Sequence, residues 1–194
     1  PNPYEELDRY RTESRNDYMT GVVSLEQKIT KWLKVELRSA IAPNSSYYET
    51  RNYSRTFSPY GLRMYTEHGR SVSKANLLSS MGEGHGFGWR WTNDLIVTFD
   101  NKFGDFSLRT IIGGTTRESY SRSADISASS LEINDFFNVK NRVGELGGSE
   151  SWSEQRQTGL FGDITAGYKN WVYIHVSGRN DWTSLLDKKN WSFF

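Results

Sequence analysis

Residues 160–182 read Leu-Phe-Gly-Asp-Ile-Thr-Ala-Gly-Tyr-Lys-Asn-Trp-Val-Tyr-Ile-His-Val-Ser-Gly-Arg-Asn-Asp-Trp, two alternating runs joined by a short polar break. Leu160, Gly162, Ile164 and Ala166 share one face going in, and Val172, Ile174 and Val176 share one face coming out. The opposite face carries Asp163, Thr165, Tyr173, His175 and Arg179. Period 2 with a turn at Tyr168-Lys-Asn-Trp171 predicts a β-hairpin with one apolar and one charged side. An apolar side of this kind needs either a packed protein layer or a lipid bilayer against it, and at this point both remain open.

Two more stretches share the design. Over residues 18–42, Met19, Gly21, Val23 and Leu25 run in, with Val22 out of phase, and Leu33, Val35, Leu37 and Ile41 run out, with the turn near Ile29-Thr-Lys-Trp32. A helix would bring Leu33 and Leu37 together but send Val35 to the far side, so the strand period prevails. Over residues 89–114, Trp89, Trp91, Leu95, Val97 and Phe99 share a face, Asp100-Asn-Lys-Phe-Gly104 reads as the turn, and Phe106, Leu108 and Ile112 continue the face. The expectation is about six antiparallel strands in three hairpins (roughly residues 18–42, 89–114 and 158–179), joined by long polar connections over roughly residues 43–88 and 115–157.

Connections of that length are rare in compact soluble domains and common on one side of outer-membrane barrels, whose strands need about 9–11 residues. Aromatics gather at the expected strand ends: Trp32, Trp89, Trp91, Phe103, Tyr168, Trp171 and Trp182. Amphipathic rings favour the two lipid–water interfaces. The 14% aromatic content, with seven Trp, eleven Tyr, seventeen Gly and four Pro, suits a β-protein with wide loops. The mean hydropathy of -0.70 does not oppose a barrel, because polar lumen and loop residues lower the average. A net charge of +1 argues against nucleic acid as a partner. The lack of cysteine removes disulfides and thiolate metal sites. The chain opens Pro1-Asn-Pro-Tyr4 without an initiator Met and stops at Trp191-Ser-Phe-Phe194, and it reads as an internal piece of a longer protein.

The segment Gly167-Tyr-Lys-Asn-Trp-Val-Tyr-Ile-His-Val-Ser-Gly-Arg-Asn-Asp-Trp-Thr-Ser184, followed by Asn190-Trp-Ser-Phe-Phe194, closely resembles a signature stretch of the SusC/RagA family of TonB-dependent outer-membrane transporters. The residues that carry the motif itself are Gly178, Arg179, Asn180, Asp181 and Trp182. Asn2-Pro3-Tyr4 and Leu131-Glu-Ile-Asn-Asp-Phe-Phe-Asn-Val-Lys-Asn141 resemble two further family segments, in the family's order. Leu185-Leu-Asp187 departs from the family's Ser/Thr-Leu-Pro. The resemblance implies an all-β segment of a barrel of about 22 strands. It also implies residence in the outer membrane and import of a large polar nutrient, an oligosaccharide or oligopeptide. A SusD-like surface lipoprotein would act as lid, and the TonB complex would engage a part of the protein N-terminal to this region. Neither enzymatic activity nor a cofactor is implied. A siderophore or vitamin receptor of the same barrel type, and a soluble carbohydrate-binding β-domain, are the alternatives.

Candidate residues follow from the faces. Lys34, Glu36, Arg38, Arg90, Asp94, Arg109, Asp163, His175 and Arg179 fall on the charged side and would line a lumen, solvating it, pairing with one another, or guiding cargo. Tyr47, Tyr48, Tyr53, Tyr60, Phe87, Phe136, Phe137 and Trp152 fall in the expected outer loops and offer flat surfaces to cargo, to a lid, or to each other. Within the motif, Arg179 and Asp181 are expected to fix a strand-to-loop corner through a charge-assisted bond. The carboxylates Glu5, Glu6, Asp94, Asp100, Asp105, Glu132 and Asp135 read as solvated acids rather than an acid–base pair. His68, His85 and His175 lack metal-ligand spacing, and Gly82-Glu-Gly-His-Gly-Phe-Gly88 reads as a flexible loop end.

Overall fold

The computed structural model describes residues 3–67, 76–169, 171–187, 189 and 192–193. His68, and parts of the Asn2-Pro3-Tyr4 and Asn190–Phe194 segments, lie outside the described residues. The chain runs α1 (Pro3–Arg9), β1 (Tyr10–Tyr18), β2 (Gly21–Lys28), β3 (Leu33–Asn52), β4 (Arg55–Thr56), α2 (Pro59–Glu67) and β5 (Asn76–Leu77). It continues through β6 (Ser80–Phe103), β7 (Phe106–Ala128), a 3₁₀ turn (Val139–Asn141), β8 (Gly147–Tyr168), β9 (Val172–Thr183) and β10 (Ser192–Phe193). The main sheet is antiparallel, in the order β1-β3-β6-β7-β8-β9-β10, with β2 also paired to β3; β4 and β5 form a small ribbon of their own.

The three expected hairpins are β2–β3, β6–β7 and β8–β9. Register settles their faces. Leu25 stands opposite Leu37 and Val23 opposite Ser39, while Glu26 faces Glu36 and Ser24 faces Arg38. Ile164 stands opposite Val176 and Ala166 opposite Ile174, while Thr165 faces His175. The turns are tight. Gly104 takes φ +60° and Lys169 φ +48°, left-handed values that let a strand reverse within a few residues. The β6–β7 turn sits at Gly104-Asp105, so Asp100 to Phe103, expected as turn, belong to the strand.

The connections are shorter than expected. Residues 44–52 and 80–88 are strand in β3 and β6, and residues 115–128 and 147–157 are strand in β7 and β8. That leaves residues 53–79 and 129–146 between the long strands, and the first of these holds helix α2 and the β4–β5 ribbon. Apolar alternation ends where a bilayer would end, but backbone pairing does not need it, so these polar strands look like loop in sequence. Strand β1 escapes the period for the same reason: Arg-Thr-Glu-Ser-Arg-Asn-Asp carries no apolar alternation.

The residues form two compact units, one of Pro1–Asp17, Ser45–Phe87 and Arg122–Ser151, the other of Tyr18–Asn44, Gly88–Ser121 and Trp152–Phe194. The first unit holds a small core in which Met81, Ala128 and Leu131 are buried and Phe137 and Val139 pack against them. In the second unit, the buried positions among the described residues are glycines: Gly88, Gly113, Gly159 and Gly167. Its apolar face is uncovered, with Val23 74% exposed, Ile174 64%, Val176 63% and Ile112 60%. Leu33 and Val97 are half-buried. Each such aliphatic side chain gains about 1.5–3 kcal/mol when taken out of water. Leaving a whole face of them bare calls for an apolar medium.

Candidate functional site

All nine candidate lumen residues fall on one face of the second unit. By register, Lys34, Glu36 and Arg38 stand opposite the apolar row of β3, and His175 and Arg179 stand opposite that of β9. Alternation along β6, β7 and β8 adds Arg90, Asp94, Arg109 and Asp163. Contacts across strands agree: Thr115 Oγ1 donates to Asp94 (2.5 Å), and the His175 ring meets the Asp163 carboxylate. Lys34 bridges Glu26 (3.2 Å) and Glu36 (3.8 Å), and Arg38 bonds Glu36 (2.7 Å). Most of this face is therefore internally paired.

The motif Gly178, Arg179, Asn180, Asp181 and Trp182 corrects one expectation and meets another. All five residues lie within β9, which runs on to Thr183, so they are paired strand rather than a strand-to-loop corner. The reason is that β8 continues beyond the apolar run and supplies partners: Gly178 stands opposite Gly162, Asn180 opposite Leu160 and Trp182 opposite Thr158. Arg179 and Asp181 are joined by two bonds of 2.7 Å each, so the expected charge-assisted link is present along the strand. Alternation turns Asn180 to the other side, into the row of Ile174 and Val176, where it is half-buried. There its side-chain oxygen accepts from Ser192 Oγ on β10 (2.8 Å), and Trp182 and Asp181 pair in register with Ser192 and Phe193. Asn180 thus ties β9 to its next neighbour, a role that depends on a residue twelve positions away.

What seats the Arg179–Asp181 clasp was not visible in the motif. A Cβ on Gly159 would lie 2.2 Å from Asp181 Oδ1 and 2.6 Å from Arg179 Nη2, so the clasp lies across a glycine of the neighbouring strand. The Arg179 guanidinium also lies 5.8 Å from the centre of the Phe161 ring, which in turn leaves no room for a Cβ on Gly113 (2.2 Å). The glycines on β7 and β8 make a floor for side chains that reach over from adjacent strands.

The aromatics of the second unit form two levels. Trp32 packs on Phe99 (5.2 Å) and Phe106 on Tyr168 (4.9 Å) near the short turns, whereas Trp89 stacks with Tyr120 (6.3 Å) near the other end. Ten residues of strand from Trp89 to Phe99 span about 33 Å, which a tilt of about 40° reduces to a height of about 25 Å. That is the height of the apolar band of an outer-membrane barrel.

The eight expected loop aromatics are not one platform. Tyr47 and Tyr48 lie on β3, Phe87 on β6 and Trp152 on β8, and four lie in connections: Tyr53, Phe136, Phe137 and, on α2, Tyr60. Tyr47 and Tyr48 point to opposite faces of their strand. Tyr47 packs against His85 (5.0 Å), and Tyr53 meets Phe137 edge-on (4.8 Å). Between them Arg51 grips Glu49 (2.6 and 2.8 Å), and the Tyr47 hydroxyl donates to Glu49 (3.1 Å). The Arg51 bonds hold the Glu49 carboxyl below the usual carboxylate range, against partial desolvation, and burial together with Glu49 pushes the Tyr47 phenol up.

A depressed carboxyl stabilises its surroundings above its ordinary pKa and loses that contribution as pH falls through the depressed value. The patch around Tyr47 and Glu49 is expected to open to hydrogen exchange only at pH below the normal glutamate range. Glu49→Gln removes this acid-side step.

The Leu131–Asn141 segment, known from sequence only as a resemblance, is a self-bonded loop. Asn141 Nδ2 donates to the carbonyls of Ile133 (2.7 Å) and Phe136 (2.8 Å), and the Ile133 N–H donates back to Asn141 Oδ1 (3.0 Å). Asp135 accepts from Ser54 N–H (2.7 Å) and Ser54 Oγ (3.1 Å), and its own N–H donates to the buried Ser79 hydroxyl (2.9 Å). Asp135 is thus an anchor in a φ +62° turn, not a free acid. The chance pairing of Asn, Asp and Ser at long separation gave no sequence signal.

The glycines of Gly82–Gly88 correct another expectation. They lie in strand β6, not a loop end. A Cβ on Gly84 would stand 2.3 Å from both Tyr48 Cε1 and Asp125 Oδ1, and one on Gly86 would stand 2.4 Å from Ser46 Oγ. Tyr48 crosses β6 at Gly84, and its hydroxyl donates to Asp125 on β7 (2.8 Å). Space, not mobility, is what these glycines supply. Among the described residues, no group of three or more His, Asp or Glu side chains could hold a metal ion.

Solved structures carry the likeness further. The RagAB peptide transporter superposes with a TM-score of 0.81 at 14% identity, over 97% of this chain and 20% of that one. The RagAB peptide importer in its "open-open" state gives 0.80 at 14% identity over 97% and 19%. The siderophore receptor PiuA from Acinetobacter baumannii gives 0.54 at 12% identity over 95% and 29%. No family model matches the chain, and no curated protein matches it in sequence. The chain spans about a fifth of the length of the RagAB chains it matches. The resemblance to SusC/RagA transporters is met in fold: the chain has the fold of a barrel segment of these transporters.

Proposed function

We propose that the chain is part of the wall of a TonB-dependent outer-membrane importer that takes up a large polar nutrient, with a SusD-like lipoprotein as its surface lid. The observation that carries this reading is the superposition on the RagAB peptide transporter along nearly the whole chain, at TM-score 0.81. The bare apolar face opposite a charged one supports it, since lipid covers the first and an aqueous lumen solvates the second. In this reading the hairpin turns face the periplasm, and residues 53–79 and 129–146 face the exterior. The lower score against the siderophore receptor, 0.54, favours the lidded importer over the siderophore alternative. A plug and the TonB-contacting part belong to the rest of the barrel, and no covalent chemistry is required of this segment.

The test is purification from outer-membrane extract, with mass spectrometry of what accompanies the protein. A large barrel protein that needs detergent and brings a surface lipoprotein is the expected result. Its deletion should abolish growth on an oligopeptide or oligosaccharide that supports the parent strain. Recovery as a detergent-free soluble protein would overturn the reading, and a barrel that restores siderophore uptake without a lipoprotein would replace it.

A further inference from the structure

Arg90, Arg109 and Arg117 on the charged face of the second unit stand apart from the pairing described above, and two of them, Arg90 and Arg117, share one concavity. Arg90 on β6 and Arg117 on β7 are exposed, and among the described residues neither has a hydrogen-bonded or ion-paired partner. They line one concavity of about 170 Å³ with Ser119, Gln155 and Gln157, and no acidic side chain lines it. The acid whose field Arg117 shares, Asp181, is already held by two bonds to Arg179. Arg90 also borders a neighbouring concavity of about 450 Å³, reached by Tyr18, Asn44 and Ser121 and equally free of acid.

A sheet that pairs Lys34, Arg38, Arg179 and His175 with local carboxylates leaves two guanidinium groups together without one. Guanidinium forks match a carboxylate in shape and charge, and charge-assisted bonds of this kind are the strong ones. The smaller concavity has no aromatic ring among its lining residues, so it lacks the flat surface on which a sugar would stack. Two glutamine amides and a serine hydroxyl instead offer the donors and acceptors of a peptide bond. We propose that Arg90 and Arg117 form a subsite for a side-chain carboxylate of an acidic oligopeptide cargo, with the larger concavity holding the adjoining residue. This rests on the importer reading and gives it a cargo charge.

The test uses the complete detergent-solubilised protein and three probes: an oligopeptide rich in glutamate, the same peptide with glutamine for glutamate, and an oligogalacturonate. Binding of the glutamate peptide is expected to be at least about tenfold tighter than that of its glutamine counterpart, from one or two bonds to a charged group. Arg90→Gln and Arg117→Gln should each remove about tenfold of that preference and leave the glutamine peptide unchanged within about twofold. Equal binding of the two peptides would overturn the proposal, and so would a stronger response to oligogalacturonate. A loss of heat-resistant barrel in both variants, without any change in peptide preference, would assign the arginines to an acid of the protein itself and also overturn it. Membrane fractionation of the same preparations separates these failures from a failure of the importer reading, because a protein absent from the outer membrane fails both and one that is present fails only the subsite.

Discussion

Val176→Arg is expected to lower the amount and stability of barrel assembled in the outer membrane, while His175→Arg, one residue along the same strand, is expected to be tolerated. Val176 is 63% exposed on the apolar face, opposite Ile164 and well inside the strand from the Tyr168–Val172 end, and nothing in its own unit covers it. An arginine at the midplane of a barrel's lipid face costs about 2–4 kcal/mol, against a typical total stability of about 5–15 kcal/mol. Adding Leu25→Arg, on another strand of the same face, should roughly double the loss, since distant sites add. At position 175 the side chain points to the charged face beside Asp163, where an arginine meets the same carboxylate. The measurement is the amount of protein in the outer-membrane fraction and its resistance to unfolding in warm detergent. Equal effects of the two substitutions would mean that water or protein, not hydrocarbon, covers the apolar face.

The faces used in that comparison are legible in the sequence because side-chain period alone decides them. Leu33, Val35 and Leu37 cannot share a side with Lys34, Glu36 and Arg38 in any strand. The hairpins and the charged-face candidates follow, since each needs only local alternation and a turn. Other features do not. Strand continuing beyond the apolar rows has no apolar period, so residues 44–52 and 80–88 look like loop. The same blindness makes the Gly178–Trp182 motif look like a corner, because its partners on β8 lie past the end of the apolar run and Asn180 finds its own on β10. The anchoring of Asp135 to Ser54 and Ser79 joins residues 81 and 56 positions apart, which no local pattern encodes. Backbone freedom is the obvious reading of a glycine cluster, yet at Gly82, Gly84 and Gly86 the chain takes no unusual φ, and their role is to leave room above the strand. A glycine every second residue within a strand is the available signal. On a pleated sheet that spacing is a stripe on one face, and a stripe without side chains is a furrow for the neighbours' side chains.

The furrow makes a second prediction. Gly84→Ala is expected to destabilise the first unit, although alanine is the better strand residue. Replacing glycine in a strand ordinarily gains about 0.5–1 kcal/mol from the unfolded chain's lost freedom. Here the new methyl would stand 2.3 Å from the Tyr48 ring and from the Asp125 carboxylate, so the Tyr48–Asp125 bond of 2.8 Å has to break or β6 has to move. Overpacking of this kind costs about 1–3 kcal/mol, and the lost bond to a charged group adds about 1.5–3, so the clash outweighs the gain. Gly178→Ala is the matched control, because nothing lies within 4 Å of a Cβ there. It should be neutral or slightly stabilising even though Gly178 belongs to the family-like motif. Protease sensitivity of residues 45–87 in the folded protein reads the difference, and combining Gly84→Ala with Tyr48→Ser should recover part of the loss, since the ring is then gone. If Gly84→Ala and Gly178→Ala behave alike, Tyr48 does not cross β6, and the stripe has a purpose other than housing it.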